Sequence, residues 1–251
     1  MNQSNTQDNM QLEMGKNKYS RRLFFRNSSL LGAGLIIKPF LFFAADKLHY
    51  DHFLLGCSSL EAGIQFMKDK TGIEAVKGGK HPHIGTHNAL LSLGEKVYLE
   101  IIAPDPEAKS LIEEYAFLKE MNAPTLFMWA AHTDKMDDLL KRIQEAGYKN
   151  SGISPGSRQR ADGSVLKWRS LSVETGINSV VPFFIEWDSS SKHPSIDSPK
   201  GCSIDSFEIE YPEPEKLKTV FTQLQIDIPV KKGIKASLQL KINSPKGTVS
   251  L

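Results

Sequence analysis

The chain has 251 residues, with 31 Lys+Arg against 29 Asp+Glu, 40% hydrophobic and 24% charged side chains. These ordinary globular values exclude a disordered, collagenous or coiled-coil chain. The charge is uneven: residues 1–45 carry six basic and two acidic groups, residues 46–251 carry 25 and 27, so the bulk of the chain has no basic excess for a nucleic-acid partner.

A polar arm comes first, then Ser20-Arg21-Arg22-Leu23-Phe24-Phe25-Arg26 and an apolar stretch from Leu30 to Ala45. Paired arginines before a moderately apolar segment resemble a twin-arginine export signal. Lys38-Pro39 splits the stretch into pieces too short to span a bilayer, which needs about 20 apolar residues. Phe42-Phe43 sit where small residues would precede cleavage, so an uncleaved leader serving as an anchor is the alternative to a processed one. The expected location is exported, periplasmic or membrane-anchored, with the membrane touched only through the leader.

Beyond residue 45 one pattern recurs three times. Phe53-Leu54-Leu55-Gly56 predicts a buried strand. Ser58-Ser59-Leu60-Glu61 has the form of a capping box, Leu60, Ile64 and Met67 share a helical face, and Gly72 ends it. Strands are expected over 87–93 and 96–103. The second unit opens with Leu126-Phe127-Met128-Trp129; Met136, Leu139, Leu140 and Ile143 form its helical face up to Gly147, and strands follow over 165–173 and 180–187. The third opens with Phe207-Glu208-Ile209, places Leu217, Val220, Phe221 and Leu224 on a helix without a terminal glycine, and closes with strands over 236–242 and 248–251. Further strands are expected near 74–77 and 148–153. The order β-α-β-β with helices on one face of a mixed sheet is an α+β fold. The boundaries read are a leader over 1–45, paired modules over 46–188, a Ser-rich linker over 189–202 and a third unit over 203–251. Cys57 and Cys202 are permitted one disulfide in an oxidising compartment, or are two small buried hydrophobes.

Several strings carry a family likeness: Asp51-His52-Phe53-Leu54-Leu55-Gly56, His81-Pro82 leading to Gly85-Thr86-His87-Asn88-Ala89-Leu90-Leu91, Tyr98-Leu99-Glu100, Lys167-Trp168-Arg169, and Val181 to Trp187. Together they resemble the glyoxalase-like domain of the vicinal oxygen chelate superfamily, over roughly residues 50–251. The resemblance implies tandem β-α-β-β-β modules whose curved mixed sheets enclose a cavity, with helices outside. It also implies a divalent metal held by a His on the first strand and a Glu on the last strand of a module, with partners from the next.

Carried over residue by residue, the first-strand position is His52 and the last-strand position is Glu100. One imidazole and one carboxylate suit Zn, Fe, Mn or Ni. In the second module Met128 stands opposite His52, and a thioether is a poor ligand for a hard ion. Glu186 ends an apolar strand and is the expected third ligand, with His87 or His193 supplying a nitrogen. Glu100 in Tyr-Leu-Glu-Ile-Ile needs a partner wherever it is buried: a metal, an arginine, or a proton that would make it a general base. His87 and Asn88 are candidates for hydrogen bonds to a substrate carbonyl. Arg158 and Arg169, on or beside a polar loop over 156–163, are candidates for binding a carboxylate or phosphate, and Trp187 is a candidate cavity wall. The function expected is an enzyme acting on a small oxygen-rich molecule by proton transfer, lyase, isomerase or ring-cleavage chemistry. A non-catalytic binding protein of the same fold is the alternative. Whether the modules pair within one chain or across a homodimer stays open from sequence.

Overall fold

The structure, a computed structural model, describes residues 48–160, 163–177 and 180–251. The expected leader lies outside the described residues. Among those described, no helix is long and apolar enough to cross a membrane.

The first module runs β1 (His49–Gly56), α1 (Leu60–Thr71), β2 (Val76–His81), β3 (Thr86–Gly94) and β4 (Val97–Pro104). A 3₁₀ turn over Glu113–Glu120 leads into the second: β5 (Thr125–His132), α2 (Met136–Glu145), β6 (Lys149–Asn150), β7 (Ser154–Gln159), β8 (Val165–Leu171), β9 (Val173–Glu174) and β10 (Phe183–Trp187). The short α3 (Pro194–Asp197) precedes β11 (Ser203–Tyr211), α4 (Pro214–Leu224), β12 (Val230–Lys232), β13 (Ser237–Ser244) and β14 (Gly247–Ser250). The expected α+β fold is found. Its helices are bounded much as the sequence predicts, with one difference of detail at the start of α1 and the expected glycine-free stop at α4. Ser59 rather than Ser58 caps α1, accepting from Ala62 N at 3.4 Å, and α4 stops without glycine because Gln225 itself takes φ 61°.

Eight strands form one mixed sheet in the order β2-β3-β4-β1-β5-β10-β8-β7, and β12-β11-β13-β14 form a second. Strand alternation decides which face each residue serves. Phe53 and Leu55 of β1, Leu99 and Ile101 of β4, Trp129 and Ala131 of β5 and Phe184 of β10 belong to the hydrophobic core. Phe207 of β11 seats there, 4.7 Å from Phe53 and 5.2 Å from Trp129 between ring centroids. The intervening residues, His52, Leu54, Tyr98, Glu100, Met128 and Phe183 among them, face the other way and line a cavity. Curvature of the large sheet brings its two edges, β2 and β7, together.

The first half of the segment expected as a polar loop over 156–163 belongs to the edge strand β7, Ser154–Gln159. This is a correction with consequences, because a strand aims alternate side chains inward, and Arg158 is one of them. Cys57 and Cys202 are both free and buried. Burial pushes the Cys57 thiol up to about 11, so it is a packed hydrophobe rather than a reactive thiol.

Candidate functional site

The cavity inside the large sheet has a volume of about 450 Å³, within the usual range for a small-molecule site. Strands of the first module (β1 to β4) and of the second (β5, β7, β8 and β10) all line it, so the two modules pair within the chain. Apolar and aromatic side chains make most of the surface; His52, His81, Asn88, Glu100 and Arg158 gather at one end.

Glu100 is 7% exposed. Its parallel neighbour across the ladder is Leu54, and His52, one step along β1 on the same face, brings Nε2 to 3.6 Å from Glu100 Oε2. Asn88, on β3, donates from Nδ2 to Glu100 Oε1 at 2.7 Å. His81 Nε2 lies 3.8 Å from the same oxygen. Burial pushes the His81 imidazole below its ordinary range, against the pull of Glu100. Burial, reinforced by the negative charge of Glu100, raises the Tyr98 phenol well above its usual range and pushes Tyr115 up to about 12. Both therefore stay protonated at neutral pH.

Behind His52 stands Asp51, 1% exposed. Its Oδ1 is 2.7 Å from His52 Nδ1, and its Oδ2 accepts from Trp187 Nε1 at 2.9 Å. His193 Nε2 is 3.3 Å away and His132 Nδ1 3.5 Å. Ser195 N donates to His193 Nδ1 at 3.2 Å, which leaves the His193 proton on Nε2, facing Asp51. Burial alone would raise the Asp51 carboxyl, but the hydrogen bonds from His132, His193 and His52 outweigh it and hold it well below the usual range. An ionised acceptor at His52 Nδ1 favours a ring proton on that nitrogen and orients Nε2 toward Glu100. Tyr98 stacks on the ring at 4.6 Å and fixes its plane. Nothing in the sequence beyond the Asp-His pair pointed to Asp51, since its other partners come from distant segments.

Three expected site residues lie elsewhere. Glu186 and Arg169 face away from the cavity, because Phe183, Ile185 and Trp187 take the inward positions of β10. Glu186 Oε1 accepts from Met136 N at 3.2 Å at the start of α2, and its Oε2 accepts from Arg169 Nε at 2.5 Å. The pair lines a neighbouring hollow with Lys167 and Asp188. His87 alternates out of the cavity while Asn88 points in. Trp187 lines the cavity, and His81 lies beside Glu100.

Strand pairing identifies the true counterpart of Glu100. Phe53 faces Trp129 at the centre of the antiparallel β1–β5 pair, with His52 opposite Ala130 and Leu54 opposite Met128. The two modules are thus related with His52 matching Met128 and Leu54 matching Ala130. Ala130 pairs with Phe183 as Leu54 pairs with Glu100, so Phe183 occupies the position of Glu100. The second module therefore offers a thioether and a phenyl ring where a divalent ion would need nitrogen and oxygen. Among the described residues no group of three or more His, Cys, Asp or Glu is placed to hold an ion. The donor set does not fit the metal that the resemblance implies.

Glycines admit the polar cluster. A Cβ at Gly78 would fall 2.4 Å from Asn88 Oδ1 and 3.0 Å from Leu90 Cγ; one at Gly79 would fall 2.8 Å from Arg158 Nη1. Asn88 Oδ1 is buried without a hydrogen-bond partner, because the amide turns its NH₂ to the carboxylate. Gly78→Ala is expected to overpack this point and cost about 1–3 kcal/mol in urea unfolding; unchanged stability would contradict the contact.

The sequence matches the family of glyoxalase-like domains over residues 50–225. None of the curated proteins compared with it matches. Among solved structures, a hypothetical protein from Staphylococcus aureus is similar at TM-score 0.58 and 18% identity, covering 81% of this chain and 84% of that one. Methylmalonyl-CoA epimerase from Streptomyces coelicolor, in complex with 2-nitronate-propionyl-CoA, is similar at TM-score 0.42 and 16% identity, covering 59% of this chain and 100% of its own. The Mycobacterium tuberculosis epimerase reaches TM-score 0.39 at 16% identity, covering 55% and 85%.

Proposed function

Starting from the chain's membership of the glyoxalase-like domain family, we propose that it is an enzyme moving a proton on a small molecule bound in the cavity, with Glu100 as the general base. The observation that carries this is a carboxylate 7% exposed, held by Asn88 at 2.7 Å and facing His52 Nε2 at 3.6 Å. Glu100 Oε2 takes the proton from a carbon beside a carbonyl. The C–H electron pair passes into the C–C bond, and the carbonyl π pair moves onto oxygen, giving an enolate. The acquired proton faces His52 Nε2 and passes to it in this scheme, because Asp51 at 2.7 Å stabilises the resulting imidazolium. Returning the proton to either face of the carbon completes an isomerisation. Apolar walls keep water from competing.

The test is deuterium uptake from D₂O into a panel of small carbonyl C–H acids, followed by proton NMR. The wild-type protein should exchange at least one of them, and Glu100→Gln should slow that exchange by about 10²-fold or more. Turnover unchanged in Glu100→Gln would overturn the reading. The second reading, a binding protein that sequesters its ligand, is favoured by Met128 and Phe183 standing where ligating groups would be; tight binding without exchange in the wild type would select it. Export, with a periplasmic or membrane-anchored location, is part of the same proposal and is supported by the paired arginines Arg21-Arg22 alone.

A further inference from the structure

We propose that the cavity takes a small carboxylate with an apolar body, and that Arg158 is the group that binds the carboxylate. This rests on the reading of the cavity as the working site and names the class of molecule it accepts. Arg158 reaches in from β7 and is 8% exposed. Its Nη1 donates to the carbonyl of Gly78 at 2.5 Å, which also latches one sheet edge to the other. A guanidinium has five N–H donors, and among the described residues no carboxylate is in contact with this one; Glu100 acts on it only at longer range. A cation this far buried is costly until an anion meets it. Burial accordingly lowers Arg158 from its ordinary range, with Glu100 opposing.

The charge inventory selects the kind of anion. Arg158 is the one Lys or Arg among the described residues lining the cavity, and Lys80 is occupied outside by Asp105 and Glu107. One fixed positive charge sharing a cavity with a buried carboxylate suits a monoanion better than a phosphate dianion. A carboxylate also offers two coplanar oxygens to the guanidinium fork. The rest of the wall, including Leu54, Ile102, Tyr115, Met128 and Phe183, calls for an apolar or aromatic body.

Two carboxylate probes, 3-phenylpropionate and hexanoate, are titrated calorimetrically into the full chain beside 3-phenylpropionamide and phenylphosphonate. At least one carboxylate should bind more tightly than the amide, and Arg158→Gln should weaken it by about 10²-fold, the scale of losing one partner of a buried charge pair. Arg158→Lys keeps the charge and the latch but loses the fork, so it should weaken the carboxylate by about tenfold and leave the amide unchanged; this covers an Arg158→Gln protein that does not fold. Glu100→Gln should bind the carboxylate at least as well as the wild type. Failure of both carboxylates to bind, equal binding of the amide, tighter binding of the phosphonate, or affinity unchanged in the Arg158 variants would each overturn the proposal. Glu100-dependent exchange with no preference for carboxylates would remove this inference and leave proton transfer standing. Carboxylate binding lost with Arg158, without exchange, would do the reverse.

Discussion

Replacing Met128 with His and Phe183 with Glu is expected to create a tight Zn²⁺ site where the native donor set is incomplete. The two positions match His52 and Glu100 through the pairing of Phe53 with Trp129 and of Ala130 with Phe183. All four side chains line the same cavity. The Phe183 ring already lies 5.4 Å from the His52 ring, so a carboxylate there is within reach of an ion on His52 Nε2. His52 is prepared for such a role, since Asp51 on Nδ1 is the arrangement that orients a ligating imidazole. Four-ligand zinc sites are worth about 10–16 kcal/mol, roughly 3 per ligand, so two added donors should tighten binding by about 10⁴-fold. Calorimetry with Zn²⁺ on chelator-treated protein would measure it, with Met128→His alone falling between wild type and the double variant. Wild-type affinity equal to that of the double variant would refute the strand correspondence and the conclusion that the second module lacks ligands.

Asp51→Ala is expected to be the most destabilising polar substitution, at about 3–5 kcal/mol, the scale for removing one partner of a buried ionic cluster. It would leave His52 Nδ1, His193 Nε2 and Trp187 Nε1 without their common acceptor. The pH dependence of the loss gives it a signature. Asp51 is depressed in the folded state, so its contribution is fully present above the unfolded carboxyl value of about 3.9 and fades as pH falls through the lower folded value. His132 is raised, chiefly by its bond to Asp51, so its contribution is present below about 6.5 and fades as pH rises through the folded value. The difference between wild type and variant should thus be largest between about pH 4 and 6.5 and shrink on both sides. His81, lowered by burial, makes both proteins less stable below about 6.5 and cancels in the difference. Urea unfolding across pH would follow this; a small, pH-independent loss would mean that Asp51 is not the hub described.

Much of the architecture was legible because its signals are local. Apolar residues at helical offsets placed α1, α2 and α4, and a carboxylate inside Tyr-Leu-Glu-Ile-Ile announced that Glu100 would be buried and in need of compensation. The neighbouring imidazole was legible too, since the likeness to glyoxalase-like domains rests on strings containing both. Glu186 shows where such reading stops. It lies in an apolar strand as Glu100 does, yet one step along a strand reverses the face, and only pairing with β5 reveals that Phe183 holds the equivalent place.

The chain alone, then, determined the recurring order of strands and helices and the presence of a charged group that burial would make expensive. Which partners answer that charge was decided by tertiary structure. Asp51 gathers donors from β5, β10 and the segment before α3, and Arg158 enters the cavity only because the sheet curls until β7 meets β2 at Gly78. Those meetings depend on register and curvature summed over eight strands, and neither is written in any local stretch of residues.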